Sequence, residues 1–230
     1  MNPKNLFITA TDTGAGKTFI SRILLDTLAY THKTAYFKPV LTGCSNTDKS
    51  AQTIPDFDYV CRDGNHRVAD TSTHVPYTFE PECSPHLAAS LSGKEINSQR
   101  IEQAFRSIQK VADIVVSEGA GGLMVPVNSK EYMIDLIRLT QSRVILVTTP
   151  QLGTLNHTFL SLEALRCAGL KTAGIVFNNI HGSEKDYIYR DNLKTVKEYS
   201  HGIPVLEAEY SQEPDKKVEG FCKEITKGLE

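Results

Sequence analysis

A lysine and a threonine directly after a glycine-flanked turn are the first residues in this chain whose types and spacing point to chemistry. The segment is Thr9-Ala10-Thr11-Asp12-Thr13-Gly14-Ala15-Gly16-Lys17-Thr18. It joins a short apolar run, Leu6-Phe7-Ile8-Thr9, to a stretch of helical period. In that setting backbone N–H groups turn toward a polyphosphate, and the partial positive charge of a helix N-terminus adds to them. Gly14, Ala15 and Gly16 would form the cradle, with Phe19 next to it. Lys17 would reach the β- and γ-phosphates, and the Thr18 hydroxyl would serve Mg²⁺, an ion that prefers oxygen ligands. The strict pattern has glycine where Thr11 stands, so the weight rests on the remaining G-x-G-K-T and on its place after a strand. The bland alternative is a glycine-rich turn capping a helix.

Other candidates sit where strands should end. Lys38, in Phe37-Lys38-Pro39-Val40, points off a carboxyl edge, where open α/β sheets bind ligands; it could hold an anion or be an ordinary exposed lysine. Glu118-Gly119-Ala120-Gly121-Gly122 follows the apolar run Ile114-Val115-Val116, and a carboxylate there is the usual metal partner of the loop threonine. Asp56 and Asp58 are further acidic candidates, although most loop aspartates cap helices or face water. Asn178-Asn179 could read a purine edge or form a turn. Gly153, Thr154 and Asn156 lead from a strand into a helix whose free amides could bind a carboxylate, unless Thr154 is only an N-cap.

The elements that must position these residues alternate in type. Strands are expected at 6–9, 34–37, 112–117, 144–148, 172–177 and 203–206, with helices at 19–30, 98–111, 133–141, 155–167 and 185–199. This alternation predicts a Rossmann-like α/β fold, a mostly parallel sheet covered by helices on both faces. Residues 43–85 are polar and proline-bearing, and are expected to be mostly loop with one short helix near Asp56 to Arg62. At 230 residues the default is a single domain. A net charge of −2, from 25 basic and 27 acidic residues, gives no global field for nucleic acid or an anionic membrane. Five widely spaced cysteines without a C-x-x-C pair read as reduced thiols, which favours a cytoplasmic location.

The phosphate loop, Tyr36-Phe37-Lys38-Pro39-Val40, Pro76-Tyr77-Thr78-Phe79, Ser84-Pro85-His86, Glu118 to Gly122 and Gly153-Thr154-Leu155-Asn156-His157, taken in order, resemble the dethiobiotin synthetase family. The resemblance implies a homodimeric P-loop ATPase fold that uses ATP, Mg²⁺ and CO2 or bicarbonate to close a cyclic urea on 7,8-diaminononanoate. It implies metal ligation by Thr18, Asp56 and Glu118, with Asp58 one helical step away as the alternative. By the same resemblance Lys17, Lys38 and Thr13 are catalytic, and Gly119, Ala120 and Gly121 adjoin the nucleotide. Thr42 would lie near the diamine, and Gly153, Thr154 and Asn156 would grip the substrate carboxylate across the dimer interface. Asn178, Asn179, Pro204, Val205 and Leu206 would contact the base. Ala10 stands where the family usually has glycine, and the tail beyond Glu207 agrees poorly with it. Two other classes share such a loop. A partitioning or septum-site switch ATPase would carry a second lysine where Asp12 stands, and a cobyrinic-acid-type amide synthetase would carry an appended glutaminase domain.

Overall fold

A computed structural model describes residues 5–44, 55–61, 70–209 and 213–227. Six strands form one parallel sheet: β1 (Leu6–Ala10), β2 (Thr34–Phe37), β5 (Ile114–Glu118), β6 (Arg143–Thr148), β7 (Thr172–Asn178) and β8 (Val205–Ala208), in the order β2-β5-β1-β6-β7-β8. β1, β5 and β6 are buried along almost their whole length because helices cover both faces, which is why they read as continuous apolar runs rather than alternating ones. One face packs Ile8, Ile20, Leu24 and Val116 together, and the other packs Phe7, Phe37, Phe105 and Val115.

The covering helices are α1 (Lys17–Ala29), α4 (Ser98–Gln109), α5 (Met133–Leu139), α6 (Thr154–Cys167), α7 (Tyr187–Tyr199) and α8 (Lys216–Thr226). Isoleucine and leucine at 20, 23, 24 and 28 make the buried stripe of α1, as their spacing predicts. α8 was not expected. Its Val218, Phe221, Cys222 and Ile225 give a 3.6-residue apolar stripe within a segment dominated by charge. Phe221 seals it onto β7: a Cβ on Gly174 would sit 2.5 Å from the Phe221 ring.

The segment expected to be loop is more ordered than its composition suggests. β3 (Val40–Thr42) and β4 (Tyr77–Phe79) pair in parallel as a small second sheet, and α2 (Pro55–Val60) and α3 (Pro85–Leu91) flank it. Such three-residue strands are too short to show a period. Arg62, offered above as the end of the short helix, lies outside the described residues. All five cysteines are free thiols. Among the described residues no helix is long and apolar enough to cross a membrane.

Because the main sheet is all parallel, Ala10, Phe37, Glu118, Thr148, Asn178 and Ala208 end their strands on one edge. The phosphate loop, Lys38 and the Glu118 glycines leave from it together.

Candidate active site

Backbone geometry shapes the loop first. Asp12 accepts a hydrogen bond from the Thr13 amide at 2.7 Å, capping a 3-10 turn over Thr13–Ala15. Gly16 then takes φ +86° and opens α1. A side chain is excluded there twice over. The left-handed conformation disfavours any Cβ, and a Cβ would lie 2.4 Å from Asn178 Nδ2 and 2.5 Å from Ile180 Cδ1. Asn178 Nδ2 donates to the Ala15 carbonyl at 2.8 Å, tying the end of β7 to the loop.

Lys17 curls back over this turn, its ammonium donating to the carbonyls of Asp12 and Thr13 at 3.2 Å each. Burial, and then the nearby charge of Lys38, lower its pKa to about 8. A group strained in this way gains from an incoming anion. Lys38 is 4% exposed, which settles the choice left open by the sequence: it is an interior cation. Its ammonium lies 2.6 Å from Glu118 Oε1 and 2.8 Å from Asp56 Oδ2, and donates at 3.4 Å to the Gly119 carbonyl. Burial opposes the Lys38 charge, but the two carboxylates outweigh it and raise its pKa.

Glu118 is fully buried. Burial pushes its pKa up, and Lys38 with the hydrogen bonds from Lys38, Ser21 and Tyr36 more than offsets this, leaving the carboxyl below its usual range. Oε1 also accepts from the Thr18 hydroxyl at 2.9 Å. Oε2 accepts from Ser21 Oγ and Tyr36 Oη at 2.8 Å each. The Tyr36 phenol stays protonated, because burial and then Glu118 hold its pKa well above normal.

Ser21 and Tyr36 were missed by the sequence reading, although a signal for each existed. Ser21 is a polar residue on the buried stripe of α1, one turn after Lys17. Tyr36 lies two residues before Lys38 and so shares its face of the strand.

Thr18 Oγ1, Asp56 and Glu118 present only oxygen donors, and two of the three are carboxylates. That chemistry fits Mg²⁺, which takes few protein oxygens and keeps the rest of its octahedral shell from water and phosphate. Lys38 already provides one positive charge at this point. Asp56 makes the contact on α2, whereas Asp58 is exposed on the same helix.

A pocket of about 330 Å³ is lined by Thr13, Gly14, Gly16, Lys17, Thr18, Lys38, Thr42, Asp56, Glu82, Glu118, Gly119, Ala120 and Gly121. Most of the expected phosphate and substrate residues meet there. Glu82 was not anticipated. A neighbouring cavity of about 710 Å³ shares Gly16, Thr18 and Asp56 with it and adds Phe19, Arg22, Tyr59, Ile180, Glu213 and Pro214.

Other expectations need correction. Pro204 immediately precedes β8, and Val205 and Leu206 form its amino half: Val205 pairs with Ile175, three residues before the Asn178 edge. Val205 and Leu206 line a separate groove with Phe221 and Lys216. A parallel strand cannot present both ends at one edge, so these residues lie apart from the larger cavity beside the loop. Asn179 spends its amide on a turn, donating to the Ser183 carbonyl and accepting from the Ser183 amide. Asn178 Nδ2 is taken by the loop, and its buried Oδ1 has no partner among the described residues.

The Thr154 hydroxyl faces inward, 2.7 Å from Thr148 Oγ1, so neither an N-cap nor a side-chain grip on a substrate is available to it. Gly153, at φ +95°, is the N-cap of α6. Gly153 and Asn156 are exposed, and with Thr154 they lie outside both cavities of this chain.

Comparison with known proteins agrees with this geometry. Residues 4–216 match the AAA_26 family, described as an AAA domain. The chain is 34% identical over 224 residues to the ATP-dependent dethiobiotin synthetase BioD of Fusobacterium nucleatum, covering 96% of this chain and 99% of that protein. It is 36% identical to BioD of Nitrosospira multiformis, covering 85% and 83%. The first of these alignments extends into the tail whose sequence fits the family motifs poorly.

Among solved structures, a plasmid partition protein from Borrelia burgdorferi superposes with a TM-score of 0.60 at 12% identity, covering 100% of this chain and 99% of that one. The septum site-determining protein MinD of Pyrococcus horikoshii, complexed with Mg-ADP, superposes with a TM-score of 0.58 at 16% identity, covering 98% and 96%. At that identity the likeness is one of fold alone, a Rossmann-like P-loop arrangement shared by proteins of different function. Similarity above 30% over most of both chains separates this protein from those structural neighbours: the chain belongs to the ATP-dependent dethiobiotin synthetase family.

Proposed function

We propose that this protein forms dethiobiotin from 7,8-diaminononanoate, CO2 and ATP, as a single-domain cyclo-ligase releasing ADP and phosphate. The observation that carries the reading is the buried Lys38 ammonium, held between Glu118 and Asp56 and beside Thr18 at the mouth of the phosphate loop. A cation fixed there is aimed at a phosphoryl group in transfer.

In this reading the loop amides and Lys17 hold the β- and γ-phosphates, and the nucleoside extends past Gly16 and Phe19 into the 710 Å³ cavity. Thr18, Asp56 and Glu118 would hold Mg²⁺, which when bound would neutralise phosphate charge. One unprotonated substrate amine adds to CO2, giving a carbamate and releasing a proton. The positive field of Lys17 and Lys38 favours the neutral amine, and no strong base is needed. A carbamate oxygen attacks the γ-phosphorus and ADP leaves, with Lys17 and Lys38 stabilising the charge that develops. The second amine then attacks the carbamoyl carbon, the C–O bond breaks, and the phosphate departs with that oxygen as the urea ring closes.

Thr13 and Thr42, which line the smaller pocket, position carbamate and diamine in this reading. With the Thr154 hydroxyl turned inward, the grip on the substrate carboxylate falls to main-chain amides near Gly153 and to Asn156. Their exposure outside this chain's own pocket suits a homodimer in which each supplies its partner's site. A cytoplasmic location suits the chemistry.

Oxygen transfer tests the reaction directly. With ¹⁸O-labelled bicarbonate, the phosphate released should carry one label for each dethiobiotin formed. Unlabelled phosphate with labelled urea would sink the mixed-anhydride route. A switch ATPase is disfavoured by Asp12, which caps the loop turn where that class places a lysine.

A further inference from the structure

Glu118 accepts four hydrogen bonds, and the proposed reaction calls away the donors of two of them. Lys38 and Thr18 hold Oε1 at 2.6 and 2.9 Å, and both are needed at the phosphates once nucleotide arrives. Ser21 and Tyr36 hold Oε2 at 2.8 Å each, and neither lines the phosphate pocket. When the first pair turns to the nucleotide, a carboxylate with no solvent exposure keeps only the second pair. A buried carboxylate left with two donors on one oxygen has its orientation set by them, so those two bonds decide where Glu118 points.

Tyr36 reaches further than its hydroxyl. Its ring lies 6.0 Å from that of Phe57, the neighbour of Asp56 on α2, and Phe57 meets His74 edge-on at 5.8 Å. The Tyr36 carbonyl accepts from His74 Nδ1 at 2.6 Å, and the His74 carbonyl accepts from the Lys38 amide at 2.9 Å. One residue therefore bears on Glu118 through its hydroxyl, on the helix that carries Asp56 through its ring, and on the strand end that carries Lys38 through its main-chain carbonyl.

We propose that Tyr36 and Ser21 are positioning residues of the phosphate site, pinning Glu118 through Oε2 so that Oε1 remains aimed at the cation when Lys38 and Thr18 turn to the nucleotide. This rests on the reading of Mg·ATP at the loop and not on the identity of the acceptor. A purely structural role would instead give variants that lose stability and lose nucleotide affinity equally with and without metal.

The experiment uses Tyr36→Phe, Ser21→Ala and the double variant in the full chain, without diamine. Binding of a fluorescent non-hydrolysable ATP analogue is titrated once in EDTA and once in Mg²⁺, and thermal unfolding of the free proteins is recorded alongside. Loss of an outer-sphere partner typically lowers metal affinity by about 10–100-fold. The Mg²⁺ needed for half-maximal tightening should rise by about that factor in the double variant, with metal-free affinity within about twofold of the parent. An unchanged Mg²⁺ requirement in both single variants overturns the proposal, as does an equal loss with and without metal. Should Tyr36→Phe fail to fold, Ser21→Ala removes one donor and no ring, and its Mg²⁺ requirement decides alone. An intact Mg²⁺ effect in a protein that never makes dethiobiotin would refute the proposed reaction and leave this inference standing.

Discussion

At the carboxyl edge of β1, β2 and β5, Lys38, two carboxylates and three hydroxyls interlock within hydrogen-bonding distance around the buried Glu118, with Lys17 folded over the adjoining loop. At the carboxyl edge of β7 and β8 the wall is looser. Phe19, Arg22, Tyr59, Ile180, Glu213 and Pro214 converge from four separate stretches of chain around a cavity twice as large, with Arg22 packed over the Tyr59 ring at 5.3 Å and 4.0 Å from Glu213. Chemistry requires fixed charges at fixed distances, and buried ion clusters keep them fixed because each member would be costly to leave unpaired. Enclosing a nucleoside requires mainly surface, which many side chains can supply. Substitutions at the first edge should therefore damage turnover steeply, and those at the second should change affinity gradually.

The largest effect is expected for Lys17→Gln and Lys38→Gln, each lowering turnover by at least about 100-fold, since each removes a charge aimed at the transferring phosphoryl group. Near-parental single-turnover rates in Lys38→Gln would take that residue out of the mechanism. Gly16→Ala comes next. The left-handed φ and the approach to Asn178 and Ile180 require the loop to shift, so ATP affinity should fall by an order of magnitude or more, measured by calorimetry.

Asp56→Asn and Asp58→Asn form a matched pair. The first should cost about tenfold in activity and raise the Mg²⁺ requirement, and the second should change both by less than twofold. Reversal of that order would return Asp58 to the site.

A pH series probes Lys17. Its folded pKa, near 8, is depressed below the usual value of 10.5, so the free enzyme holds the cation below pH 8 and loses it above. ATP affinity should be flat below that point and weaken above it by up to about tenfold per pH unit. The same depression makes the fold gain stability as pH rises from about 8 to 10.5, where only the unfolded chain still binds the proton. The smallest effect belongs to Val205→Ala. Being at the amino half of β8, it should leave the preference between ATP and GTP within about twofold.

The same contrast explains what could be read without coordinates. The parallel sheet was legible from its alternating runs, and the loop, Lys38 and Glu118 because each lies in a short contiguous motif at a strand end, whereas Asp56, on α2, was named as a metal ligand only by resemblance and with Asp58 as its alternative. Pro204 to Leu206 were misplaced, since motif order along the chain does not reveal which end of a strand faces the ligand. The inward turn of the Thr154 hydroxyl depends on Thr148, six residues away on another element. Tyr36 and Ser21 act through Glu118, roughly 80 and 100 residues further on; local spacing marks both as polar residues on buried faces but does not name a partner at that range. The larger cavity, where we propose the nucleoside lies, is drawn from residues 16 to 214, so its wall appears only when the chain is folded.

The most direct test of the central claim is ADP formation measured with ATP and Mg²⁺ while single components are omitted. Turnover should require both 7,8-diaminononanoate and bicarbonate, with one dethiobiotin appearing for each ADP, and should not respond to DNA or lipid vesicles. ADP production stimulated by DNA or vesicles and indifferent to the diamine would contradict it.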